Sequence, residues 1–420
     1  MIKIAARIRC PIHGFIELNE QEREIINQPV FQRLRRIKQL SLTDMVYPSA
    51  THTRFEHSLG VMHMATQMFN SIVSDEQNLE KLKIRKDDVF RFRKIIRLTA
   101  LLHDVGHACF SHAGEDVMPF LAQDHPDYRG GRRYKHEHYS IAAIKVFFRE
   151  HIEKDDDIRV DEVCFLLGDG KAEDCEHLIG LKGLINGSVD ADRADYLLRD
   201  SYHLGVRYGQ YDKERFINSI TVGLHETRDA GGNYEDEYHA LAIKESGLQM
   251  AEHMVMARYS MFSSVYFHKV RRVYDHHAEK ALKEVLKSYK LEGGCFPPPS
   301  GDPKELQKYF DFDDWKVLGA IAEGRGDGED EEHGKVILER RHYKLKETWH
   351  GNLGKGDREK LENLKKEHKF HIYDDSATTT WYKDDVFILR DTGETVFLKD
   401  ISKMITEIGR PTIKRFYAPD

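Results

Sequence analysis

The stretch Leu101-Leu102-His103-Asp104-Val105-Gly106-His107 sets a histidine and an aspartate side by side where an apolar helical run ends, with a second histidine four residues on. Imidazole nitrogen and carboxylate oxygen together suit a divalent ion such as Mn, Fe, Zn, Ni or Mg. Buried without such a partner, these groups would destabilise the fold by several kcal/mol. Two more donors would complete a site, and they stand at comparable places. His57 lies near a helix start in Arg54-Phe55-Glu56-His57-Ser58-Leu59-Gly60, and Asp192 near another in Val189-Asp190-Ala191-Asp192-Arg193-Ala194-Asp195-Tyr196. His107 follows His103 by one helical turn, close enough to move a proton on a group held at the metal, a task suited to a near-neutral pKa. The chain has 24 histidines. His63, His253, His276 and His277 fall on long helical stretches with no carboxylate at ligand spacing, and are read as structural or solvent-facing.

These donors need rigid elements, and apolar residues at three- and four-residue spacing supply them. The periodicity predicts helices near 20–40, 57–74, 87–104, 136–152, 158–168, 192–201, 212–220 and 242–288. Ile2, Ile4 and Ile8 alternate up to Cys10-Pro11-Ile12-His13-Gly14, and Phe15, Ile16 and Leu18 follow, which reads as a small hairpin. A second hairpin is expected at 220–241, turning at Ala230-Gly231-Gly232-Asn233. Three prolines in Gly293–Gly301 stop any helix there. Gly324–Gly334 (GRGDGEDEEHG) reads as a solvated linker, because its carboxylates would repel a phosphate. Beyond it, Asp391-Thr392-Gly393-Glu394 between two β-branched runs marks a hairpin, and Thr412–Tyr417 a further strand. The expected fold is mainly α, with short hairpins: a helical core at 1–292, a linker with helices at 293–336, and a small α+β appendage at 337–420.

No apolar run approaches the ~20 residues that cross a bilayer, and no charged-then-apolar leader follows Met1, so a soluble cytoplasmic protein is expected, with no membrane partner. The five cysteines are scattered, odd in number and never form a CxxC pair, so neither a disulfide framework nor a thiolate zinc site is suggested. A net charge of −7 argues against a general nucleic-acid coat.

The order His57, His103-Asp104, Asp192, each at a helix end or first turn, resembles the HD-domain metal-dependent phosphohydrolase superfamily, whose four metal ligands match these residues. The fold is then an HD-domain helical core. Phe31–Leu40, Arg54–Val61, His103–His112, Lys135-His136-Glu137, Asn186–Gly205 and Tyr266-Phe267-His268-Lys269 narrow the resemblance to the dNTP triphosphohydrolase branch, which includes bacterial dGTPases and the vertebrate antiviral enzyme with a sterile-alpha-motif domain. The resemblance implies hydrolysis of a dNTP to deoxynucleoside and inorganic triphosphate, with Mg accompanying the triphosphate. It makes His107 and His136 the acid/base histidines, places Glu115 where an aspartate orients one of them, and turns His112 to the phosphates. Arg54, Arg193, Arg258 and Lys269 match phosphate-binding positions, and Gln39, Tyr196, Asp200 and Tyr266 match positions that hold sugar and base. Leu40 and Tyr266 are expected to crowd the 2′ carbon of the sugar. Phe262 replaces a histidine that some relatives place near the phosphates.

Relatives also assemble as dimers, tetramers or hexamers under nucleotide control. Gln32 and Arg35 match positions that hold an activating nucleotide, but Asn27 stands where a guanine-reading aspartate is found and Cys10 replaces another aspartate. An amide cannot offer guanine a charged two-oxygen fork, so activation specifically by GTP is not expected. Other HD enzymes act as nucleotidases or phosphodiesterases, and a nuclease on single-stranded nucleic acid or a silent nucleotide sensor are further alternatives. A phage-defence role is seen among relatives.

Overall fold

Thr53 and Glu56 start the helix around which the rest is assembled: the Glu56 carboxylate accepts the Thr53 backbone N–H at 3.1 Å, and the helix runs Arg54–Val73. The structure, a computed structural model, describes residues 4–420 apart from 124, 126–127, 129, 155–156, 229–233, 378–385 and 409–411. Arg54–Val73 packs against the helices Val89–Leu102 and Ala191–Leu204, and it is buried on nearly all sides, polar His57 and Ser58 included. Its contact with Ala191–Leu204 depends on Gly60, where an added Cβ would lie 1.9 Å from the Asp195 carboxylate. Ala191–Leu204 begins where Asp190 caps the Arg193 N–H at 2.9 Å and ends at Gly205 with φ 68°.

The expected mainly helical fold is what the structure shows, with local corrections. The helix expected over 20–40 is three pieces, Glu20–Ile26, Pro29–Gln32 and a 3-10 turn at Arg33–Arg36. Pro29 has no N–H to continue the first helix, and the chain leaves the helical conformation at Ile37, with Lys38 bridged to Thr53 and Gln39 N donating to His52 O at 3.0 Å. Residues 136–152 are interrupted by a π turn at Ile144–Phe148. The long stretch 242–288 begins as strand, then forms helix Leu248–Met261, a π turn at Phe262–Tyr266, and helix Lys269–Ser288. Periodicity cannot separate a buried strand end such as Leu241-Ala242-Ile243 from the start of a helix.

The N-terminal hairpin pairs β1 (Ala6–Cys10) with β2 (Gly14–Leu18). The second hairpin pairs β3 (Ile220–Arg228) with β4 (Tyr234–Lys244); its expected turn at 230–233 lies outside the described residues. Strands β5 (Lys344–His350), β6 (Ile372–Ala377) and β9 (Ile413–Ala418) make a separate antiparallel sheet of order β5-β9-β6. The hairpin of β7 (Phe387–Leu389) and β8 (Thr395–Phe397) instead joins the second one, β7 lying parallel to β4.

Residues beyond the prolines return to the core. Tyr309 stacks on Tyr139 at 3.9 Å and donates its hydroxyl to Gly106 O at 2.7 Å. Asp314 accepts the backbone N–H groups of Lys38 at 2.8 Å and Phe110 at 2.7 Å. In the acidic 324–334 stretch Gly324, Arg325, Glu329, Asp330 and Glu332 are exposed, but Gly326, His333 and Gly334 are buried. The five cysteines are unpaired, and four are buried. No helix among the described residues is long and apolar enough to cross a membrane.

Candidate active site

Where Val89–Leu102 ends, His103 turns its Nδ1 back onto Ala100 O at 2.8 Å. That bond fixes the proton on Nδ1 and leaves Nε2 buried without a hydrogen-bond partner, 3.3 Å from Asp104 Oδ1 and 3.8 Å from Asp192 Oδ1. His57 is arranged in the same sense. Its Nδ1 donates to Asp195 Oδ2 at 2.8 Å, and its Nε2 faces Asp192 Oδ1 at 3.0 Å and Asp104 Oδ2 at 3.6 Å. Ligand atoms of His57, His103 and Asp192 all lie within 4.8 Å of one another. Asp104 stands beside them with one oxygen turned to Arg54 Nη1 at 2.5 Å. An orphaned imidazole nitrogen among two carboxylates and a second oriented imidazole is a donor set that fits a divalent cation.

The electrostatics agree. Burial opposes charge on His57, but Asp192 and Asp195 on its two nitrogens hold its pKa up at about 10. A divalent cation between the same carboxylates would take the place of that proton. Burial likewise opposes charge on Asp104, and His103 and Arg54 overcome it, holding the carboxyl well below the usual range.

A second histidine group adjoins the first. His107 and His136 stack at 3.7 Å and 18°, and His136 Nδ1 shares a short hydrogen bond with Glu115 Oε1. His112, largely exposed, approaches Glu115 at 3.5 Å and meets His107 edge-on at 5.2 Å. The loop carrying them is strained: Phe110 and Ser111 adopt φ of 58° and 52°, a conformation non-glycine residues keep only when neighbours enforce it. The Ser111 hydroxyl donates to Lys38 O at 2.7 Å and accepts Arg54 Nε at 2.9 Å.

These groups line one cavity of about 500 Å³, a size that suits a nucleotide. Around it stand Gln39, Leu40, Arg54, His103, Asp104, His107, His112, His136, Asp192, Arg193, Tyr196, Asp200, Arg258 and Tyr266, so residues expected for metal, phosphate, acid/base and sugar roles meet at one place. His57 lies fully buried behind Asp192, and Glu115 behind His136. Lys269 is exposed and not among the lining residues. Asn27 and Arg35 are exposed and Gln32 half-buried, away from the cavity; Arg35 Nε donates to Gln32 Oε1 at 2.9 Å and its guanidinium lies 3.5 Å over Phe55.

The sequence reading missed the groups behind the ligands. Asp195 is fully buried and accepts His13 Nε2 at 2.6 Å and Arg199 Nε at 2.8 Å besides His57. The N-terminal hairpin thereby delivers His13 to the carboxylate that orients His57, one of the candidate metal donors. The available signal was spacing, since Asp195 follows Asp192 by one helical turn. Outer partners of this kind govern metal affinity by about 10- to 100-fold. Asp195→Asn, which keeps the shape but not the charge, is expected to weaken metal binding by that factor, read by competition with a chromogenic chelator; unchanged affinity would leave Asp195 without a role in orienting His57. Arg271, Arg272, Ser111, Asn186 and Asp190 were also missed among the lining residues.

The fold and this donor set are those of an HD-domain protein with a candidate metal site. The HD domain family model matches residues 54–200, and the HD associated region matches 231–369. The chain is 36% identical over 285 residues to an uncharacterized protein of Methanocaldococcus jannaschii, covering 68% of this chain and 51% of that one. It is 30% identical over 297 residues to a Dictyostelium discoideum protein named deoxynucleoside triphosphate triphosphohydrolase SAMHD1 homolog, covering 70% and 51%. A crystal structure of a hypothetical protein from Aquifex aeolicus superposes with TM-score 0.74 at 25% identity, covering 100% of this chain and 97% of that one. A Bacteroides thetaiotaomicron phosphohydrolase shares the fold with TM-score 0.70 at 22% identity, covering 99% of each chain. The chain belongs to the HD-domain dNTPase-like family. Its matched part spans about half the length of these curated relatives.

Proposed function

We propose that this protein hydrolyses dNTPs to deoxynucleoside and inorganic triphosphate, using one divalent ion held by His57, His103, Asp104 and Asp192, with Mg²⁺ accompanying the triphosphate. The observation that carries this reading is the composition of one cavity, whose lining combines candidate metal donors and paired histidines, the guanidinium groups of Arg54, Arg193 and Arg258, and the apolar and aromatic side chains of Leu40, Tyr196 and Tyr266. When bound, the ion supplies Lewis-acid polarisation of a phosphate and acidifies a water.

The remaining work falls to side chains. Arg54 and Arg193 are already paired, with Asp104 and Asp190. Arg258, its Nε buried without a hydrogen-bond partner and its guanidinium 5.4 Å over Phe262, is the cation freest to fork onto phosphate oxygens. His136, charged by its acidic neighbours, would give a proton to the departing 5′ oxygen. His107, kept neutral by burial and by Arg54, is suited to accept one. An apolar Leu40 against the 2′ carbon offers a ribose hydroxyl no partner, and burying it unsatisfied costs ~1–3 kcal/mol.

Incubation with dNTPs, NTPs, a cyclic dinucleotide and single-stranded DNA, with Mn²⁺ or Mg²⁺, tests this. Deoxynucleoside and triphosphate are expected, with deoxy substrates favoured about tenfold to a hundredfold over ribo. Release of orthophosphate or pyrophosphate, or trimming of DNA ends, would assign the site to a nucleotidase or nuclease instead. The same reading extends to a homo-oligomer controlled by a nucleotide bound near Asn27, Gln32 and Arg35. Light scattering that finds a monomer, with rates indifferent to every added nucleotide, would remove that part.

A further inference from the structure

The sugar end of the cavity is enclosed by a continuous circuit of hydrogen bonds. Beginning at Gln39, its backbone N–H donates to His52 O at 3.0 Å. The His52 ring, 2% exposed, places Nε2 2.8 Å from Asp200 Oδ1. The other Asp200 oxygen accepts the Tyr266 hydroxyl at 2.5 Å. The Tyr266 carbonyl accepts Arg271 Nη1, and Arg271 Nε donates to the Thr43 hydroxyl at 3.1 Å. That hydroxyl donates to Leu40 O at 2.5 Å, and Leu40 is the neighbour of Gln39 in the chain, so the circuit closes.

Four of its members, Gln39, Leu40, Asp200 and Tyr266, already have roles in the proposed site. His52, Thr43 and Arg271 do not. Each link of the circuit joins a donor to an acceptor, while His52 Nδ1 and Gln39 Oε1 are buried without a hydrogen-bond partner, and the joined segments come from four separate parts of the chain. Tyr266 is held from two directions, by its hydroxyl and by its carbonyl. Its ring cannot shift in the cavity wall without straining a buried bond at one end or the other. The π turn Phe262–Tyr266 and the short 3-10 turn at Thr43–Met45 are single turns, and the circuit ties both to His52 and Asp200. His52 and Arg271 are thus the two side chains through which the segment of Leu40 is tied to that of Tyr266.

We propose that His52 and Arg271 are positioning residues that fix the aperture between Leu40 and Tyr266 and so set discrimination against the 2′ hydroxyl. This inference rests on the dNTP reading given above. Cutting the circuit at either residue loosens the aperture and admits ribose, while the metal donors and His136, outside the circuit, keep their geometry.

His52→Ala, His52→Gln, Arg271→Ala and Arg271→Lys are compared with wild type for kcat and KM on matched pairs such as dATP and ATP, with thermal stability measured alongside. Gln can present an N–H near the position of His52 Nε2, whereas Lys cannot serve Tyr266 and Thr43 together from a planar fork. The expected result is a fall of about tenfold in the deoxy-to-ribo ratio of kcat/KM in His52→Ala, Arg271→Ala and Arg271→Lys. It should arise mainly from a lower KM for the ribonucleotide, with the ratio restored in His52→Gln. If the variants lose stability and lower both substrates' rates in parallel with the ratio unchanged, the two residues are merely structural and the proposal fails. A wild type that turns over no dNTP at all would instead overturn the substrate reading. A wild type that turns over dATP and ATP equally shows that no aperture exists to be fixed.

Discussion

His103→Ala is expected to lose its bound metal and to lower kcat/KM by at least about 10³-fold, equivalent to ~4 kcal/mol of transition-state stabilisation, while melting near the wild-type temperature. The separation of the two effects follows from what His103 touches. Its Nε2 has no hydrogen-bond partner in the protein, so truncation orphans no side chain. Asp104 differs, because its carboxylate pairs with the buried Arg54 guanidinium, and alanine there would leave that charge alone at a penalty of about 3–5 kcal/mol. Asp104→Ala should therefore lose metal, activity and stability together, and the double variant should resemble it. Metal content by mass spectrometry, activity and melting temperature on the three proteins decide the matter. Full metal content and full hydrolysis in the double variant would show that the ion, if any, is bound elsewhere.

The chemistry of the site was far more legible than its support. His57, the His103-Asp104 pair and Asp192 could be read because each stands where a helical pattern begins or ends, and a polar residue there needs a reason. His107 followed from one turn of helix. The helices carrying them were visible from apolar spacing, but their ends were not: the break at Pro29 and the caps at Asp190 and Gly205 were passed over. Arg33 shows what stayed hidden: it is fully buried, donates to His107 O at 2.8 Å and to Phe312 O at 2.7 Å, and lies over the rings of Tyr309 and Phe310. Among 64 basic residues nothing local distinguishes an arginine whose partners are about 280 positions away from one on the surface. Asp314 bracing Phe110, and Arg271 reaching Thr43, escape for the same reason. The parallel pairing of β7 with β4 is a long-range fact of that kind too, since strand periodicity says which residues share a face but not which strands meet.

Glu115→Gln is expected to lower kcat about 10²-fold and to move the alkaline limb of the pH–rate profile to lower pH. His107 and His136 are stacked, yet their surroundings drive them apart. Burial, Arg54 and neighbouring imidazoles push His107 well below its ordinary value. Burial also opposes charge on His136, but Glu137 and Glu115 overcome it and hold the pKa at about 9. One ring is thus a charged acid and the other a neutral acceptor at the same pH, the division of roles that hydrolysis needs. Because the His136 pKa is raised, its proton is present below that value and lost as pH rises through it, so the acid-dependent rate falls on the alkaline side. Replacing the Glu115 carboxylate by an amide removes one of the charges that raise the pKa, and the fall begins earlier. A cation held by His57, His103, Asp104 and Asp192 would lower the His136 pKa in both proteins, leaving the direction of the difference unchanged. His136→Gln should lose the limb altogether, with a drop of about 10²- to 10⁴-fold in kcat. A Glu115→Gln enzyme whose alkaline limb coincides with that of wild type would show that His136 is not the acid.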